Sequence, residues 1–190
     1  MELSFLLLIT LALGLVAFIN AFWGGIYRCL CLSESLLVSL VFVVLLTAMF
    51  WIGILLGHRF ANALGWMAIP IAEAILMLLG IKLMYYGIRN RPEQKSFNLA
   101  RFGELLAVSF ASSLNAFIAG MGYGMLRPIP VLIFYLIGFS VAAFSLLGVT
   151  LGKKQGKFIY ARIASLLSGA SMIILAVLLG IELYLMKGSL

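Results

Sequence analysis

Aspartate is absent from the 190 residues, histidine occurs once and cysteine twice. With no Asp and with His58 alone, neither a nucleophile–base–acid set nor a His/Cys zinc site can be assembled. Cys29 and Cys31 lie two positions apart and make no disulfide framework. The glycines fit no phosphate loop. Neither an enzyme nor a resident cofactor is expected. Charge is scarce too. Charged residues are 10% of the chain and hydrophobic ones 65%, against roughly 25% and 45–50% in soluble domains. So few charges cannot cover a water-facing surface, which excludes a soluble domain. The chain is expected to fold in a bilayer, as an all-α polytopic membrane protein.

Six apolar stretches are each long enough to cross about 30 Å of hydrocarbon as a helix. They fall near residues 3–27, 34–57, 64–88, 102–126, 129–151 and 158–186. The first has no basic residue before it and no small-residue cleavage site after it, so it reads as a retained helix rather than a signal peptide. The one extended polar stretch, 89–101, divides the chain into repeat one (1–88), a linker and repeat two (102–190), all within a single membrane domain.

A net charge of +7 would suit nucleic acid, but the basic residues sit in the short gaps between apolar runs, where they act as topology signals. With the N-terminus outside, Arg28, Arg89, Arg91, Lys95, Arg101, Lys153, Lys154, Lys157 and Arg162 lie inside. Arg59, Arg127 and Lys187 lie outside. That nine-to-three bias predicts a multi-pass protein of the bacterial inner membrane with both termini outside and 89–101 cytoplasmic. The lipid bilayer, with its anionic headgroups, is the expected partner, and nucleic acid is not.

The halves resemble each other. Asn20-Ala21-Phe22 recurs as Asn115-Ala116-Phe117, and Gly25 recurs as Gly120. At the same offset Ala48, Gly53, Leu56 and Gly57 match Ala143, Gly148, Leu151 and Gly152, while Leu78-Leu79-Gly80-Ile81 recurs as Leu178-Leu179-Gly180-Ile181. Three helices are an odd number, so the second half enters from the opposite side. The expected architecture is two inverted three-helix repeats, which in secondary transporters place the substrate site near the midplane between the repeats.

Asn20 and Asn115 are polar groups inside spans one and four, each on a face of small residues that lets helices approach closely: Ala17, Ala21 and Gly24 in one, Ala116 and Gly120 in the other. They read either as interhelical hydrogen-bonding glue or as amide oxygens of a shared cation path, with Ser112 and Ser113 beside them. Glu73, three residues after Pro70, is a costly carboxyl inside span three and a candidate cation ligand or proton carrier. The expected metal set is therefore Asn20, Asn115 and Glu73. Lys82 lies about half a helical turn away from Glu73 around span three and reads as a side chain snorkelling to the interface. Glu104 reads as a complement to the positive end of its helix. Cys29-Leu30-Cys31 reads as two small apolar residues at a membrane edge.

The six spans and the doubled motif resemble the manganese efflux pump (MntP) family within the lysine-exporter superfamily. The best segments are Gly14 to Gly25, Gly80 to Arg89, with Lys82 at a basic family position, and Ser109 to Gly122. The family's motif is Asp-Ala-Phe or similar, and the resemblance implies that the paired acidic positions line a cation path. In this chain both are asparagine, Asn20 and Asn115, and the acidic positions expected in spans two and three fall near Val43 and Tyr86. The resemblance implies a small-cation exporter, manganese included, working by alternating access. Two alternatives stand beside it: an exporter of a neutral or zwitterionic solute, which amides suit, and a non-transporting structural or regulatory subunit. A homo-oligomer or a membrane partner subunit is compatible with each.

Overall fold

The computed structural model describes residues 2–27, 32–89, 101–126, 132–155 and 158–187. They form six α-helices: α1 (Glu2–Tyr27), α2 (Leu32–Leu64), α3 (Ala68–Arg89), α4 (Phe102–Leu126), α5 (Leu132–Gln155) and α6 (Phe158–Lys187). Each contains a stretch of 20 residues or more that is long and apolar enough to cross a membrane. Cys29-Leu30-Cys31 and most of the 89–101 linker lie outside the described residues.

The main departure from the expected spans is at the end of the second. The polar pair His58-Arg59 suggests a stop at Gly57, yet α2 continues to Leu64. Neither residue breaks a helix, and no proline follows before Pro70. The helix ends where it meets Gly65, which adopts a left-handed φ of 56°, a conformation glycine takes without a Cβ clash. A single 3-10 turn over Gly65–Met67 then leads into α3.

On α2, Val38, Phe42, Leu46, Phe50 and Ile54 form one fully buried stripe, while Leu36, Leu40, Val44, Trp51 and Leu55 are exposed. In water such an outer face would be an aggregation liability. In hydrocarbon it is simply the surface that meets lipid. Helix α1 differs: 78% of its apolar window is buried, against 33–50% for the others. It is the central helix of the six.

Helix α1 packs mainly on α5 and α6, and α4 mainly on α2 and α3; α2 also meets α5, α3 meets α6, and α1 touches α4. Exchanging α1 with α4, α2 with α5 and α3 with α6 maps these principal contacts onto themselves. The glycines repeated in the sequence sit at the equivalent crossings. A Cβ at Gly148 of α5 would lie 2.5 Å from the Phe18 carbonyl oxygen of α1, and one at Gly53 of α2 would land on the Phe117 carbonyl of α4. Likewise Gly25 abuts the Val149 backbone and Gly120 the Phe50 backbone. Only a missing side chain permits approach this close.

Serine hydroxyls add hydrogen bonds between helices. Ser140 donates to the Thr10 carbonyl at 2.9 Å, Ser168 to that of Ala12 at 3.0 Å, and Ser145 to Ser39 Oγ at 2.8 Å. With lipid outside, polar atoms this deep need partners supplied by the protein.

Candidate functional site

The small-residue faces around the two asparagines pack mostly on other helices and not on each other. Ala21 of α1 lies against Gly148 of α5, and Gly120 of α4 against Phe50 of α2. Ala17, Ala21, Gly24, Ala116 and Gly120 are all buried. Small residues in a sequence announce that some backbone comes close, without saying which one.

Where α1 and α4 do meet, a cavity of about 760 Å³ opens between α1, α3 and α4, with Ser165 of α6 at its wall. One face of α4 lines it with Glu104, Ala107, Val108, Ala111, Ser112 and Asn115, a spacing of three and four that stacks residues along one side of a helix. Helix α1 contributes Val16, Ile19 and Asn20, and α3 contributes Lys82, Leu83 and Tyr86.

Both half-buried asparagines therefore line one cavity. Asn20 Nδ2 donates to the Val16 carbonyl at 2.9 Å and to Ser112 Oγ at 2.8 Å. Ser112 passes its own hydrogen to the Val108 carbonyl at 2.8 Å. Both amide hydrogens of Asn20 are thus engaged, and its Oδ1 accepts no hydrogen bond among the described residues. Asn115 Oδ1 accepts from the Lys82 ammonium at 3.0 Å.

Other sequence candidates lie apart. Ser113 is buried on α4, donates to the Phe110 carbonyl at 2.7 Å and does not line the cavity. Glu73 is half-buried on α3, about 13 Å along the helix from Lys82, and is absent from the cavity wall. The structure thus brings Asn20, Asn115 and Ser112 together without Glu73. Sequence reasoning missed Lys82 and Glu104 as cavity residues. The signal for Glu104 was available, since it continues the helical spacing of Asn115 and Ser112. For Lys82, nothing local separates a snorkelling lysine from one that turns inward.

Among the described residues no three of His, Cys, Asp and Glu cluster together. A cation in this cavity would meet amide and hydroxyl oxygens, with Glu104 the carboxylate on the wall. Glu104 also faces Arg101 Nη1 at 3.6 Å, in a pair exposed enough to be worth little to stability. Of the positions where the family resemblance expects acidic residues, Tyr86 lines this cavity, and Val43 lies instead in a groove between α2 and α5.

Residues 29–181 match the family model described as "Putative manganese efflux pump". The match includes Lys82, Ser112 and Asn115 and begins after Asn20. Curated proteins named "Putative manganese efflux pump MntP" are similar over most of their length. The one from Rippkaea orientalis is 31% identical across 79% of this chain and 80% of its own. Another, from Campylobacter jejuni, is 28% identical across 96% and 97%, and one from Methanospirillum hungatei is 26% identical across 73% and 71%. No solved structure matches the chain. A family of efflux pumps consists of transporters and not enzymes, and six apolar helices suit it. The chain belongs to the MntP efflux pump family and is a multi-pass membrane protein.

Proposed function

We propose that the chain exports a small divalent cation, manganese first among them, by alternating access across the bacterial inner membrane. One observation carries this reading: two asparagines related by the sequence repeat line a single cavity and are linked to Ser112 and Lys82 there. Oxygen ligands of the carbonyl type suit manganese, and the curated relatives carry that metal in their names. The exchange of helix contacts between the halves supports two inverted repeats, in which one half rocks against the other around a fixed site. In this reading both termini are outside and 89–101 is cytoplasmic. Asn20 Oδ1, Asn115 Oδ1 and Ser112 Oγ are the transient ligands, and Glu104 offsets part of the charge.

A second reading, export of a zwitterionic or neutral solute, has one specific observation in its favour. The cavity wall carries one ammonium and one carboxylate beside the two amides, a donor and acceptor set able to hold such a solute. Purified protein in proteoliposomes separates the two. Manganese flux lost on Asn115→Ala supports cation export. Flux of an amino acid without manganese flux supports the second reading, and no flux of either supports a non-transporting subunit.

A further inference from the structure

Resting on the cation reading, we propose that Lys82 is a tethered competitor of the transported ion: its ammonium occupies the Asn115 ligand when cargo is absent and helps expel cargo on release. The geometry is specific. Lys82 Nζ lies 3.0 Å from Asn115 Oδ1, across the gap between α3 and α4. Among the described residues this is the one hydrogen bond of that ammonium, and it has no carboxylate within ion-pair distance.

A free lysine at this depth would extend toward the interface, where water solvates its charge. This one turns into the cavity and takes an amide oxygen as acceptor. Its neighbours Leu83, which is buried, and Tyr86, which is half exposed, line the same cavity, so this part of α3 borders the gap.

A metal ion on Asn115 Oδ1 would sit at about 2.1 Å from that oxygen. With the ammonium 3.0 Å from the same atom, ion and ammonium would be at most about 5 Å apart. Two positive charges this close repel even with substantial screening. Both cannot hold the oxygen together. Cargo must push Lys82 aside to bind, and the returning ammonium lowers the affinity for cargo at the point of exit. An exporter needs such a device more than a scavenger does, because an exporter must release what it binds.

The test titrates Mn²⁺ into the detergent-solubilised full chain, native and as Lys82→Gln, Lys82→Arg and Lys82→Gln/Asn115→Ala, by calorimetry. Thermal unfolding without metal confirms that each variant is folded, with Lys82→Met as a second neutral variant. Loss of the positive charge should tighten binding by roughly tenfold or more. Lys82→Arg should bind like the native chain, and the double variant should lose the gain. In proteoliposomes Lys82→Gln should lower KM and kcat together, a split that a merely structural lysine would not give. Equal or weaker binding by the neutral variants overturns the proposal and leaves cation export standing. Absence of Mn²⁺ binding in every variant overturns the cation reading itself, and this proposal with it.

Discussion

Asn20 of α1 donates through Nδ2 to Ser112 Oγ of α4 at 2.8 Å, joining the two helices that carry the repeated Asn-Ala-Phe. The bond is part of a short relay, since the same hydroxyl donates to the Val108 carbonyl. It holds the Asn20 amide in one orientation and leaves Oδ1 as the group without a partner among the described residues.

A double-mutant cycle over Asn20→Ala and Ser112→Ala should give a coupling of about 0.6 kcal/mol and not above about 2, the range found for hydrogen bonds inside membranes. Reversible unfolding in detergent measures it. Zero coupling would mean that the contact contributes nothing to holding α1 on α4.

Introducing carboxylates tests the proposed metal site from the other side. Asn20→Asp with Asn115→Asp places two acids at one cavity, where they repel or protonate without a cation. Added Mn²⁺ relieves that repulsion and stabilises the folded state by RT ln(1 + [L]/Kd). The melting temperature of the double variant should therefore rise with Mn²⁺ more than that of the native chain. Equal shifts would count against a cation site at these two positions.

The repeated glycines make a prediction about stability alone. Gly53→Leu and Gly148→Leu each drive a side chain into a backbone carbonyl of the facing helix, and overpacking of that kind costs at least 1–3 kcal/mol, as a rough range. Both should lower the melting temperature sharply or prevent folding. Gly138→Ala is the control: its added Cβ meets only Val43 Cγ1 at 3.9 Å, so stability should hold or rise slightly.

Topology can be checked without purification. A cysteine introduced at Ser96 in the linker should resist labelling by a membrane-impermeant reagent applied to the periplasmic side of intact cells. Labelling should appear after the membrane is opened. Efficient labelling of intact cells would reverse the orientation derived from the basic residues.

Much of the candidate site was legible because its parts repeat. Asn20 and Asn115 stood out as polar side chains in apolar runs, and their shared tripeptide pointed to related places in the fold. Ser112, one turn before Asn115, follows from helical spacing. Glu73 stood out for the same reason as the asparagines, yet it lies apart from the cavity. A charge inside an apolar run draws notice in the sequence, but its half-buried position on α3 is decided by packing. Lys82 shows the reverse case: its long flexible stem allows either an interfacial or an inward position, and only the neighbouring Asn115 on another helix selects between them.

Six helices and the solvent they face follow from local properties of the chain. Length, apolar content and the absence of competing polar groups are local properties, and a bilayer leaves helices as the form in which such segments satisfy their own backbones. The stop at Gly65 does not belong with them: the sequence pointed to Gly57, and although glycine tolerates a left-handed φ, nothing local says which glycine ends the helix. Which faces meet is a matter of packing. In lipid a leucine gains little by choosing a helix over an acyl chain, so apolar periodicity does not tell the inner side of a helix from the outer. The pairings of α1 with α5 and α4 with α2 are set by where backbones can touch, at Gly148 and Gly53. From that packing follows the gap in which Lys82 and Asn115 meet, two residues thirty-three positions apart in the chain.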